Sequence, residues 1–300
     1  MTSARTTVVI LTHDRPDEAG RTIARTLALP EAPPLVVVDN GSRNGTAAAL
    51  AARRPAVDVV ALPQNVGGAG RNVGVARART PYVALSDDDC WWAPGAVAHA
   101  ETLLDAHPRL AVVSARILVG PDEELDPTCA RMAASPLGPA PGLPGVPILG
   151  FMAGAAVVRR SAFLAAGGFE RRLFLGGEEA ILAIDLAAAG WAMAYVDALV
   201  VHHHPSQHRD PGGRSRHLAR NALWLAWLRR PARSAARATA GLLRASLGDG
   251  AARRGVLDAA RGLPWALRHR RVVPREVESV LRLLDASGAG LGAIPRPADP

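Results

Sequence analysis

Short apolar runs, each broken by polar turn-forming residues, recur along the first third of the chain. Thr6 to Thr12 (TTVVILT) is β-branched and too short for a helix, which predicts a buried strand. Asp14-Arg15-Pro16-Asp17 breaks it and opens a helix that runs to about Leu29. Leu35 to Val38 reads as a second strand, ending in the turn Asp39-Asn40-Gly41-Ser42 and followed by an Ala-rich helix from Thr46 to Arg54. Val57 to Leu62 and Tyr82 to Leu85 supply a third and a fourth strand. This alternation predicts a right-handed βαβα arrangement on a parallel sheet.

Beyond it, Pro121 to Pro147 is rich in Pro, Gly and Ala and reads as a surface loop. Phe151 to Val158 resumes an apolar run, and a helix starts at Ser161. Glu178 to Ala189 is helical by pattern, with Gly190 as its stop. Ala194 to Val201 is a further strand, running into His202-His203-His204-Pro205. After Ser206 the texture changes to Arg-studded amphipathic helices at 216–229, 231–247, 251–269 and 274–286, and a Gly/Pro tail follows Ser287. A boundary is therefore expected near 206, dividing the chain into 1–206 and an Arg-rich helical region, 207–300.

In a parallel sheet the ligand site lies beyond the carboxyl ends of the strands. The polar residues gather there: Thr12, Asp14 and Arg15, then Asp39 and Asn40, then Asn65, then Asp87, Asp88 and Asp89. Hard carboxylate oxygens at a strand end suit Mg²⁺ or Mn²⁺. In an extended backbone Asp87 and Asp89 face one way and Asp88 the other, which favours the outer pair as ligands. The segment NVGGAGRNVGVARAR, Asn65 to Arg79, fails the dinucleotide-binding pattern, because Val73 stands where the third Gly belongs. It reads instead as a Gly-rich approach to a helix, with Arg71 and backbone N–H groups offered to phosphate.

Charge narrows the partners. The chain has no lysine, so its 35 basic residues are all arginine; they give a net charge of +8 and crowd the region after His208. Nucleic acid, an anionic membrane surface or a phosphorylated substrate can each use such a field. With two Tyr and four Phe, the stacking platforms of a nucleic-acid binder are lacking. Cys90 and Cys129 have neither metal spacing nor a disulfide framework, and no apolar run approaches the ~20 residues of a membrane span. A cytoplasmic chain is expected.

Seven segments in order carry a resemblance: VVILTHDRP, VVVDNGS, QNVGGAGRNVGVARA, YVALSDDD, FMAGAAVVRRSAFLAAGGF, GGEEAILAIDLAAAGW and VVHHHPS. Over about residues 6 to 206 the chain resembles the family 2 glycosyltransferases with the GT-A fold. The resemblance implies an α/β fold: a Rossmann-type, mostly parallel central sheet flanked by helices, here with a C-terminal helical extension. Nucleotide-sugar binding would fall in about 6–120 and the acceptor side in about 148–206. It implies that Thr12, Arg15 and Asp39 hold the base and ribose. Asp14, Asn40, Asn65, Gly68, Arg71 and Asn72 stand around the nucleotide sugar.

The same resemblance makes Asp87 and Asp89 the Asp-x-Asp metal residues, with Asp88 on the ribose or sugar. The family's Glu-Asp pair, whose Asp is the general base, reads Glu178-Glu179 here, a departure that leaves both as candidate bases. A metal-ligating His after the next strand maps to His202, with His204 on the same strand face as runner-up. The activity implied is metal-dependent (Mg²⁺ or Mn²⁺) and inverting. It moves a sugar from a nucleotide-diphosphate sugar to a hydroxyl of a glycan, lipid-linked or small-molecule acceptor, in cell-envelope polysaccharide, glycolipid or natural-product glycan synthesis. Two other readings stand beside it, a non-catalytic nucleotide-sugar-binding protein and a nucleotidyltransferase-like enzyme. In the basic C-terminal helices, Trp224, Trp227 and Leu228 beside Arg229-Arg230 offer a face for peripheral contact with the inner face of the plasma membrane.

Overall fold

The computed structural model describes residues 4–54, 57–206 and 211–288. Its first part runs β1 (Thr6–Thr12), α1 (Pro16–Leu27), β2 (Leu35–Asp39), α2 (Thr46–Arg53), β3 (Asp58–Ala61), α3 (Arg71–Arg77) and β4 (Tyr82–Asp87). A second part follows with β5 (Cys90–Trp92), α4 (Ala96–Ala106), β6 (Leu110–Val119), β7 (Glu124–Leu125), α5 (Pro127–Ala133) and β8 (Val146–Pro147). It continues through β9 (Ala155–Arg159), α6 (Arg160–Ala165), α7 (Glu178–Ala188) and β10 (Ala192–His203). Four helices close the chain: α8 (Pro211–Arg229), α9 (Ala232–Ala245), α10 (Gly250–Arg268) and α11 (Arg275–Ala286).

The strands form one sheet in the order β3-β2-β1-β4-β9-β6-β10-β5, with β7 on β6 and β8 on β10. From β3 to β4 every pairing is parallel. Helices cover both faces there, so Val8, Val9, Ile10, Val37 and Val38 are all fully buried and the strands read as unbroken apolar runs. β9 then lies antiparallel to both β4 and β6, while β6 and β10 are parallel again. The parallel sheet expected from the sequence is thus the first half of a mixed one.

Two elements depart from the pattern reading. β6 has no counterpart among the expected strands, and residues 121–147 are not a plain loop, since they contain α5, β7 and β8. Asp126 caps α5 by accepting the Thr128 N–H at 2.7 Å, with Pro127 at its first position, a start signal hidden among loop-forming neighbours.

The C-terminal helices pack on the sheet domain. Arg229 donates Nη2 to Asp185 of α7 at 2.8 Å, and buried Arg230 holds Glu278 of α11 at 3.1 Å. The expected membrane face of α8 is interior: Trp224 and Leu228 are buried, Trp224 Nε1 donates to the Ala259 carbonyl at 2.9 Å and Trp227 Nε1 to Thr239 Oγ1 at 3.1 Å. An indole with its N–H satisfied inside a helix bundle gains more from burial than from a wet surface. No helix among the described residues is long and apolar enough to cross a membrane. The boundary expected at 206/207 borders residues 207–210, and those four, like the tail from 289, lie outside the described residues.

Candidate functional site

The three aspartates sit where β4 turns into β5. Because residues 88 and 89 form the turn, side-chain alternation breaks there. Asp87 takes an ion pair from Arg71. Asp88 is buried, accepts Thr12 Oγ1 at 2.8 Å and Arg15 Nη1 at 3.2 Å, and its carbonyl accepts Thr22 Oγ1 at 2.7 Å. Burial pushes its carboxyl up to about 6, against the pull of Arg15. Asp89 is buried as well, yet the His203 side chain and the Ser206 N–H, which donates at 3.2 Å, outweigh burial and hold its carboxyl below the usual range.

His203, rather than His202 or His204, faces Asp89, with Nε2 3.6 Å from Oδ1. The reason is strand register. Opposite His203 on the antiparallel neighbour is Cys90, whereas His202 lies opposite Trp91. His202 stacks on Trp91 and approaches Glu123 at 3.0 Å, and His204 tilts against the same indole. Trp91 is covered on its ring by the Arg25 guanidinium at 3.4 Å. Of the three histidines it is thus His203, and not the expected His202 or His204, whose ring faces Asp89.

Several residues expected around the nucleotide are taken up by the loops themselves. Asn40 donates to Asn65 Oδ1 and the Gly67 carbonyl, both at 3.0 Å, and accepts the Val66 N–H at 2.9 Å. Asn65 accepts the Gly67 N–H at 2.8 Å. Asn72 bridges to the Phe169 backbone with two bonds of 2.9 Å. These amides fix loop shape, and the Val66 and Gly67 N–H groups at the start of the Gly-rich segment already have acceptors. Thr12, Arg15 and Asp88 do converge. Asp39 is buried and held by Ser42, whose hydroxyl also accepts the Asp14 N–H at 2.7 Å; the Asp14 carboxylate caps Arg43 N–H at 2.7 Å, which lowers its pKa.

Glu178 and Glu179 open α7 after a strained turn. Phe174 has φ +63° and ψ −65°, closed by the Leu175 N–H on the Leu173 carbonyl at 2.7 Å. The Phe174 carbonyl accepts the Gly68 N–H at 2.6 Å, which brings the Gly-rich segment against the helix start. Asn221 of α8, buried and unmarked in the sequence reading, donates to the Leu173 and Leu175 carbonyls at 2.8 and 3.1 Å and steadies the same turn. Its only sequence signal is a polar residue on the inward face of an apolar helix.

The two glutamates then part. Glu178 is 3% exposed, lies against Gly68, and its Oε2 is buried without a hydrogen-bond partner. Burial first, and Glu179 next, push its carboxyl up to about 8. Glu179 is half-buried, is raised by burial as well, and lines a cavity of about 250 Å³ with Met132, Leu149, Phe151, Arg131 and Leu284. Buried Arg71 faces Asp87, Glu179 and Glu178; burial opposes its charge, but the carboxylates outweigh it. A Cβ on Gly68 would come 2.4 Å from Glu178 Oε1. Gly68→Ala is therefore expected to lower stability by ~1–3 kcal/mol, read as a fall in Tm, and an unchanged Tm would contradict this packing.

Asp89, Cys90 and His203 offer ligand atoms within 4.8 Å of one another, and a Cβ on Gly154 would meet both Asp87 Oδ2 at 2.8 Å and Cys90 Sγ at 3.6 Å. Burial raises the Cys90 thiol well above its usual range, and beside it the cluster offers carboxylate oxygen and imidazole donors. That set fits a hard divalent cation such as Mn²⁺ or Mg²⁺.

Comparisons with known proteins speak to family and fold. The family model described as glycosyl transferase family 2 matches residues 7–165. An N-acetylglucosaminyl-diphospho-decaprenol L-rhamnosyltransferase of Mycobacterium tuberculosis is 30% identical over 250 residues, 71% of this chain and 80% of the relative. A mannosyltransferase from Pyrobaculum calidifontis, solved with GDP-Man and Mn²⁺, superposes with a TM-score of 0.54 at 19% identity, over 96% of this chain and 77% of that one. GalNAc-T7, solved with UDP, GalNAc and Mn²⁺, gives 0.66 at 14% identity, over 97% and 59%. At such identities the structures speak for a shared fold.

Proposed function

The chain belongs to glycosyl transferase family 2 and is a glycosyltransferase, and from that premise we propose that it transfers its sugar to a lipid-linked acceptor with Glu179 as the general base. The observation that carries this reading is the placement of Glu179 on the cavity wall while Glu178 is turned into the protein. The cavity lining combines apolar Met132, Leu149, Phe151 and Leu284 with Arg131 and Thr128. An amphiphilic acceptor with a diphosphate suits such a lining, and the rhamnosyltransferase relative names an acceptor of that kind. The setting is cell-envelope glycan synthesis, with peripheral contact between the basic C-terminal helices and the membrane.

In this reading Glu179 takes the proton of the acceptor hydroxyl as its oxygen bonds to the anomeric carbon. The bond from that carbon to the diphosphate oxygen breaks, and its electron pair leaves with the nucleoside diphosphate. Attack opposite the leaving group inverts the anomeric centre. Arg71 sets the field between Asp87 and the two glutamates. Thr12 and Arg15 hold Asp88, and through it the β4–β5 turn, on the donor side, with Asp39 on the nucleoside. Asp89 and His203, with Asp87 beside them, would hold Mn²⁺ or Mg²⁺, which when bound neutralises the diphosphate.

Thermal stabilisation by nucleotide sugars tests the donor side. UDP-, GDP- and dTDP-sugars are each added with Mn²⁺ or Mg²⁺, and at least one is expected to raise Tm only when the metal is present. Asp89→Ala is expected to abolish the shift. Stabilisation that ignores both the metal and Asp89 sinks the metal assignment.

A further inference from the structure

Helix α9 presents an outward face of exposed leucine and arginine. At about 100° per residue, Leu243 falls on one exposed strip, which Leu247 continues in the turn that follows; Arg233, Arg237 and Arg244 fall on the adjoining strip. Leu243 is 48% exposed and Leu247 71%. From Ala232 to Gly248 there is no acidic residue. Arginines of α8 and just past its end are engaged, Arg229 with Asp185, Arg230 with Glu278 and Asp285, and Arg216 with Asp258. None of Arg233, Arg237 and Arg244 has an ion-pair partner among the described residues.

The inner side of α9 is fixed. Ser234 and Ala235 are buried, Ser234 donates to Glu278 at 2.6 Å, and Thr239 receives the Trp227 indole N–H. The outer face therefore cannot turn inward to hide its leucines without breaking these bonds. We infer that this face of α9 docks on an anionic lipid bilayer, the arginines on lipid phosphates and Leu243 and Leu247 at the acyl boundary. Nucleic acid would use the cations but leave both leucines in water, and the face has no aromatic side chain for stacking. The inference rests on the membrane contact proposed above and assigns it to α9, away from the buried Trp224 surface.

The test uses the full chain without donor or acceptor. Co-sedimentation is measured with vesicles of phosphatidylcholine alone and of phosphatidylcholine mixed with phosphatidylglycerol. Binding is expected only to the mixed vesicles and to weaken with salt. The triple variant R233Q/R237Q/R244Q is expected to lower partitioning on the order of a hundredfold, and L243S/L247S roughly tenfold or more. Both change exposed positions, so the circular dichroism spectrum and transfer to a water-soluble acceptor stay as in the parent chain. Equal binding to neutral vesicles, partitioning indifferent to either variant, or RNA binding without vesicle binding each overturns the inference. Absence of glycosyl transfer with vesicle binding intact would instead overturn the reading of the catalytic site.

Discussion

Glu179→Gln is expected to lower kcat by ~10²–10⁴-fold while leaving donor-induced stabilisation in place. The amide keeps the size and the polar contacts of the side chain but cannot accept a proton at neutral pH. Glu178→Gln is expected to cost far less in kcat, because Glu178 is turned against Gly68 and away from the cavity. The pH profile should carry the same signature. Burial raises Glu179 above the ordinary carboxylate range, so its basic form is lost at a higher pH than an exposed glutamate would lose it. The acid limb of the kcat profile is expected at correspondingly raised pH, and Glu179→Gln should remove it. A Glu178→Gln variant that loses transfer while Glu179→Gln keeps it would exchange the two roles.

What the sequence made legible was what continuous patterns encode. β1, β2 and β4 are apolar runs because helices cover both faces, and the acids collect behind them because loops at the carboxyl ends of strands are where polar groups meet solvent. Which histidine faces Asp89 was not legible, since that follows from the pairing of β10 with β5 and not from alternation along β10 alone. Asn40 and Asn72 look like ligand groups in a string of letters. Their partners make them loop braces, and the Phe169 that Asn72 holds is far along the chain. β6 was missed because Ser114 and Arg116 interrupt its apolar run, although Ser114 is fully buried in the sheet. Asn221 shows the same limit from the other side: a helix beyond the matched family region supports the turn that precedes Glu178 and Glu179.

Arg71→Met is expected to be the most destabilising single change at the site, by ~3–5 kcal/mol near neutral pH, read from denaturant or thermal unfolding. Methionine fills much of the volume, so the cost is electrostatic: Asp87, Glu178 and Glu179 lose a buried cation that faces all three. Its pH dependence separates this from a packing defect. Glu178 titrates near 8 in the folded chain, above its ordinary value of 4.5, so the native state binds the extra proton and its contribution to stability declines as pH rises through that window. Removing the guanidinium raises the carboxyls further, so the native variant binds still more protons than the parent. The gap between the two chains should therefore be small near pH 5 and widen toward pH 9. A destabilisation that is flat across this range would assign Arg71 a packing role, with the field between Asp87 and the glutamates set by other groups.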